Sequence, residues 1–177
     1  MIDQMLSAGI QVFIAILFAV SCLHKLQDFD RFCGVVGSYL KRTIAANAVF
    51  VKALACAVII WEIGIVIAVI TVQPAMIVGS LTCGILLIYA AGMGWNILRG
   101  NTLLDCGCSW GERTPVNSWH VVRNLFLVAF VSLLFLPVSS YAWSSFDVIN
   151  TLALAMSAYV IYLAFDLIIL NQVLLKR

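Results

Sequence analysis

The chain has 177 residues, of which 64% are hydrophobic and 10% charged, with a formal net charge of +2. A water-soluble domain is nearer half apolar and a quarter charged, and a soluble fold of this size could not hide so much apolar surface. The composition therefore excludes a soluble globular protein and gives no basis for a nucleic-acid partner. It predicts an all-α, polytopic membrane helix bundle of about five transmembrane helices, forming a single domain over residues 1–177 in the lipid bilayer.

The first apolar run, Leu6–Leu26, is too long for the h-region of a signal peptide and lacks a small-residue cleavage site, so it reads as a retained first span. A polar stretch, 27–52, follows. Within it Phe29–Tyr39 has apolar residues at mixed spacing and reads as a short interfacial helix. The second span is Ala53–Val72, closed by a turn at Gln73-Pro74, and the third is Ala75–Leu98. A hydrophilic loop, 99–120, is rich in turn formers such as Gly100, Gly107, Gly111, Pro115 and Asn117. The fourth span, Val121–Leu136, ends at Pro137. A loop over Val138–Ser145 carries interfacial Tyr141 and Trp143, and the fifth span is Phe146–Leu170.

With five spans, Lys25, Arg31, Lys41, Arg42, Lys52, Arg99, Arg113, Arg123, Lys176 and Arg177 fall on one side, and the other side has no lysine or arginine. The positive-inside rule then puts the N-terminus outside and the 99–120 loop in the cytoplasm of a bacterial inner-membrane protein.

Chemistry concentrates in that loop, at Asp105-Cys106-Gly107-Cys108-Ser109-Trp110-Gly111. A disulfide needs Cα atoms within roughly 4.4–6.8 Å, which residues two apart reach only if the chain bends, as Gly107 permits. Such a small, strained ring has an oxidising potential and exchanges readily. As a structural staple it would contribute little, because closing so short a loop hardly constrains the unfolded chain. Two other readings stay open: a soft-metal site with His120 or Asp105 as third ligand, and two inert thiols in a turn.

Of the other cysteines, Cys56 and Cys83 lie within apolar runs and read as small apolar residues. Cys22 and Cys33 fall on the same side as the pair. They are candidates for a thiol relay or, alternatively, for simple packing.

Glu62 stands near mid-membrane, where an ionisable group costs at least roughly 2.5 kcal/mol. No lysine or arginine is expected at its depth, so the expectation is a protonated acid bonded to a neighbouring helix. It would act as a proton carrier, as a hydrogen-bond partner for a quinone head, or as packing glue. Asp166, nearer the basic side, is expected to pair with Arg99 or Arg123. His24 and Lys25 close the first span. Both His24 and His120 are cationic candidates for lowering a nearby thiol pKa, or simply bond loop backbone. Arg123-Asn124 opens the fourth span and is placed to fix the loop over the bundle mouth.

The order of these features, His24-Lys25 with Asp28 and Phe32, then Glu62, Arg99-Gly100, Asp105-Cys106-Gly107-Cys108 and Arg123-Asn124, resembles the methylamine-utilisation family MauE, within the wider DoxX-like membrane proteins. The fifth span lies beyond a four-helix DoxX-like core. The resemblance implies an accessory role in methylamine degradation, namely maturation of the disulfide-rich small subunit of a quinoprotein amine dehydrogenase. It also implies a thioredoxin-like, periplasmic MauD-type partner, with Cys106 and Cys108 as the exchanging pair. A periplasmic partner and a cytoplasmic loop lie on opposite sides, which leaves two versions: a reversed orientation, or reducing equivalents carried across the membrane. The alternatives are a non-enzymatic assembly factor for the small subunit and a DoxX-type quinone-linked membrane subunit.

Overall fold

The computed structural model describes residues 2–40, 47–100, 117–139 and 142–174, with the side chains of residues 173 and 174 outside the description. The loop bearing Asp105, Cys106, Gly107 and Cys108 lies outside the described residues. Among those described there are six α-helices and one two-residue parallel strand pair. Five helical stretches are long and apolar enough to cross a membrane: Gln4–Gln27, Ala48–Ile70, Ala75–Leu98, Ser118–Phe135 and Ser145–Gln172.

Helix α1 (Gln4–Gln27) starts at Asp3, whose carboxylate accepts from the Met5 amide, and ends at Asp28. Asp28 has two roles, because its Oδ1 also accepts from the Arg31 amide at 3.2 Å and opens α2 (Phe29–Leu40). Helix α3 (Ala48–Ile70) begins five residues before the expected start. Asn47 caps it, accepting from Val49 at 2.6 Å, and Lys52 points outward from within its first turns. Val72 takes a left-handed φ of 53° to end the helix, and Pro74 sets up α4 (Ala75–Leu98). Helix α5 (Ser118–Val131) tightens into a 3-10 turn over Ser132–Phe135 before Pro137. Helix α6 (Ser145–Leu174) is capped reciprocally by Ser144 and Asp147, with the Ser144 amide and hydroxyl each 2.8 Å from Asp147 Oδ2.

The main core joins Ile10, Phe13, Ile14 and Phe18 of α1 to Ile65 of α3, Ile85 of α4 and Leu127 of α5. A second cluster seats α2 on α3 through Phe32 and Cys33 against Ala55 and Ile59, with Cys22 of α1 beside them. Helix α6 packs chiefly on α1, so closely that a Cβ added at Gly9 would lie 2.5 Å from Leu154 Cδ2. The outward faces stay apolar, with Ile60, Ile70, Phe126 and Ile161 all exposed. An apolar outer face around an apolar core suits a bundle solvated by lipid.

A contact at the chain's start was not expected from sequence. Strand β1 (Ile2–Asp3) runs parallel to β2 (Val138–Ser139), within the stretch read as a plain loop. The Ile2 amide donates to the Pro137 carbonyl at 2.9 Å. This ties the N-terminus to the α5–α6 connection at one end of the bundle, an odd-span arrangement. In a cysteine-free background, single cysteines at Asp3, Val72 and Trp143 should label with an impermeant maleimide from one face only, and a cysteine at Asn47 from the other. Labelling of Asp3→Cys and Trp143→Cys from opposite faces would contradict the arrangement.

Candidate functional site

Two ion pairs, the first buried and the second partly so, and a cavity beside them dominate the polar interior. The first joins Lys25 Nζ of α1 to Glu62 Oε1 of α3, with both side chains almost wholly out of contact with the surroundings. The same Oε1 accepts from Tyr89 OH of α4 at 2.6 Å and from Ser21 Oγ at 3.2 Å. Lys25 Nζ also donates to Ser21 Oγ at 2.8 Å and to Tyr89 OH at 3.2 Å. It lies 5.3 Å from the ring centroids of both Phe32 and Tyr89, so aromatic faces complete its shell.

This corrects the expectation that Glu62 has no basic residue at its depth. The error came from treating the ends of the apolar runs as one level. Helix α3 begins earlier than its apolar run, and α2 folds over the end of α1, so Lys25 is 3% exposed although it is only two residues from the end of its helix. Ser21 and Tyr89 were not singled out in the sequence. The i, i+4 spacing of Ser21 and Lys25, which puts them on one helix face, was the available signal.

The second pair is Arg123 Nη1 of α5 with Asp166 Oδ1 of α6, which is one of the two partners expected for Asp166. The Arg123 guanidinium also sits 5.4 Å from the Tyr162 ring centroid. Arg99, the other candidate, instead covers the Trp95 ring at 4.3 Å. Asn124, beside Arg123, is 2% exposed, and its Nδ2 has no hydrogen-bond partner.

Beside the pairs lies a cavity of about 50 Å³, bounded by α1, α4, α5 and α6. Its lining includes Ser21 and Tyr89, whose hydroxyls also touch the first ion pair, together with His24, Arg123, Asn124 and Asp166. Glu62 itself is not part of that lining, and its Oε1 is already engaged.

His120 is buried, and its Nδ1 accepts from the Asn117 amide at 3.2 Å. That backbone bond fixes the start of α5 and, in the neutral ring, leaves the proton on Nε2. Cys22 and Cys33 are free and buried in the α2–α3 apolar cluster. Burial pushes the Cys33 thiol above its usual pKa, against a lowering by Lys52. Cys56, expected to be buried, is exposed on the outer face of α3. Cys83 is half-buried, with Sγ 4.0 Å from the Val128 carbonyl. The residues for either a disulfide or a soft-metal reading of the loop, Asp105, Cys106 and Cys108, fall outside the described residues.

Together these features define a multi-pass membrane helix bundle whose polar interior is organised by paired charges. The family model for "Methylamine utilisation protein MauE" matches residues 3–137, and the chain belongs to that family. It is similar to the methylamine utilization protein MauE of Paracoccus denitrificans, 33% identical over 130 residues, which is 73% of this chain and 68% of that protein. The MauE of Methylophilus methylotrophus is 27% identical over 176 residues, 94% of this chain and 87% of its own. That of Methylorubrum extorquens is 27% identical over 150 residues, 79% and 75% respectively. No solved structure matches. Membership of the family gives the protein a role in methylamine utilisation.

The energetics of the first ion pair are testable. Removing one partner of a buried pair leaves an uncompensated charge and costs about 3–5 kcal/mol, whereas replacing both with apolar groups is often neutral. Lys25→Met alone should therefore lower the melting temperature in mild detergent sharply, and Lys25→Met with Glu62→Leu should recover most of the loss. Equal damage in the single and double variants would show that the two side chains do not act as a pair.

Proposed function

We propose that the protein matures a quinoprotein amine dehydrogenase by thiol–disulfide exchange through Cys106 and Cys108, with a thioredoxin-like partner of MauD type and the dehydrogenase small subunit as target. The observation that carries this reading is the pairing of two thiols around one glycine in the hydrophilic loop between α4 and α5, in a chain of the MauE family. Arg123, Asn124 and His120 are buried just inside the helix that leaves the loop, and they hold its downstream root rigid. His24 and Lys25 are part of the surrounding end of the bundle rather than of the exchange itself.

Cys22 and Cys33 have a weaker case as a relay. Exchange proceeds through the thiolate, which an apolar setting disfavours, and Cys33 has such a setting.

The charge distribution favours an inner-membrane protein with its N-terminus outside and the loop cytoplasmic. In that orientation the pair and periplasmic targets lie on opposite faces, and the exchange reading needs a further step that moves reducing equivalents across the membrane. Labelling of Cys106 from the periplasmic face only would reverse the orientation and remove the need for a crossing step, leaving the exchange role in place.

Substitution Cys106→Ser or Cys108→Ser should abolish amine dehydrogenase activity in cells while the protein stays in the membrane. Acid trapping with a mass-shifting maleimide should find the pair partly oxidised, in a ratio that shifts when the thioredoxin-like partner is deleted. Full dehydrogenase activity in the double serine variant would sink the redox role and leave a non-enzymatic assembly factor, for which deleting the loop is harmful and changing its cysteines is not.

A further inference from the structure

The exchange chemistry makes no use of the first ion pair or of the cavity, yet two hydroxyls join them. We infer that the cavity is a water-filled proton chamber, in which Ser21 and Tyr89 pass protons between the chamber water and the Lys25–Glu62 pair.

Three observations carry this. The first is the bridging geometry. Ser21 Oγ accepts from Lys25 Nζ at 2.8 Å and donates to Glu62 Oε1 at 3.2 Å. Tyr89 OH accepts from the same Nζ at 3.2 Å and donates to the same Oε1 at 2.6 Å. A hydroxyl can take a proton on its oxygen while giving up its own, which is what a relay requires. Ser21 and Tyr89 are only half-buried and lie in the cavity lining, whereas Lys25 and Glu62 are buried outside it. The two hydroxyls are thus the contact between the pair and the cavity.

The second is the cavity itself. Its volume is about 50 Å³. A water needs about 10–15 Å³ of such space and roughly two to four polar partners, so about three waters fit. Ser21, His24, Tyr89 and Asp166 all line it, and each keeps accessible surface. His24 stands in the last turn of α1, so the lining reaches toward the basic side of the bundle. A small cation suits the site less well than water, because both nearby carboxylates already face a cation.

The third is how the pair is held. Glu62 Oε2 is buried and has no hydrogen-bond partner among the described residues, so donors meet only one carboxylate oxygen. Burial penalises charge more than polarity. A bare oxygen is therefore less costly as the carbonyl of an acid than as half of a carboxylate. Lys25 stays supported when Glu62 takes up a proton, since two hydroxyls and the rings of Phe32 and Tyr89 remain around its ammonium.

On uptake, a protonated chamber water gives its proton to the Ser21 or Tyr89 oxygen as that hydroxyl gives its own to Glu62 Oε1. The hydroxyl is regenerated, Glu62 becomes a neutral acid that donates back to it, and the site gains one positive charge. Release is the reverse, and no electrons move. The other titratable groups around the chamber are His24 of α1, Arg123 of α5, and Tyr159, Tyr162 and Asp166 of α6, with Cys22 in electrostatic reach of the pair.

The test uses the full-length protein in nanodiscs and infrared difference spectra between neutral and acidic buffer, in ordinary and in heavy water. A protonated carboxylic acid has its own C=O stretching band, which shifts when deuterium replaces the proton. Acidification should produce such a band reversibly, and Glu62→Gln should remove it. If Glu62→Gln does not fold, heavy-carbon labelling of glutamate assigns the band, since Glu112 is the one other glutamate in the chain. Ser21→Ala with Tyr89→Phe should slow the deuterium shift about tenfold, as loss of a hydrogen-bonded step does. Leu163→Trp, which fills the chamber from α6, should slow it likewise, and it decides if the hydroxyl variant does not fold.

A Cys106→Ser/Cys108→Ser variant should give the wild-type band and rate, so failure of the exchange reading and failure of this one are distinguishable. Absence of a Glu62-dependent acid band in the folded protein, or a wild-type exchange rate in either folded chamber variant, would each overturn the inference.

Discussion

The bundle depends on the need to answer two opposite charges inside an apolar interior. A lysine and a glutamate buried separately would each carry a desolvation penalty of several kcal/mol. Placed together, and bonded to Ser21 and Tyr89, they become tolerable. That solution requires side chains from α1, α3 and α4 at one point, with Phe32 of α2 closing it. Helix pairs in lipid gain little from apolar burial, because lipid is as apolar as the helix face. A polar junction that works in only one mutual rotation of the helices therefore sets their register.

The second pair does the same for α6. That helix leans on α1, and Arg123–Asp166 is its polar link to α5. The match to the family model ends at residue 137, before α6 begins, yet the relative from Methylophilus methylotrophus aligns over 176 residues. The cavity lies where α1, α4, α5 and α6 meet, with both partners of this pair in its lining.

Much of the architecture was legible in the sequence. Run length and hydropathy give five spans, and Phe29, Pro74 and Pro137 mark real boundaries. What was lost came from two physical sources. Caps override apolar runs as helix starts, so Asn47 sets the beginning of α3 ahead of its apolar run. Rotational facing is nearly invisible when a helix is apolar all round, since neither lipid nor core imposes a period. Cys56, within an apolar run, therefore gives no sign in the sequence that it faces outward. The pairing of Asp166 with Arg123 was readable because both lie near the basic end, whereas Lys25 with Glu62 was not, because α2 hides that end of α1. The β1–β2 contact joins residues far apart in sequence through backbone alone, and no side-chain pattern announces it.

The distribution of thiols adds a last step. Cys22 and Cys33 are spent on packing α2 against the bundle, Cys56 faces outward, and Cys83 sits against the Val128 carbonyl. None of these settings supplies both the access and the nearby positive charge that a reactive thiolate requires. The hydrophilic loop has a different composition. It follows Arg99, includes Arg113, and is rooted at an α5 terminus where His120, Arg123 and Asn124 are fixed by burial. A chain so committed to lipid has few places where thiol chemistry can meet a soluble partner. The pair at Cys106 and Cys108 occupies one of the two long polar connections between spans, flanked by helices whose positions the buried charges have already set.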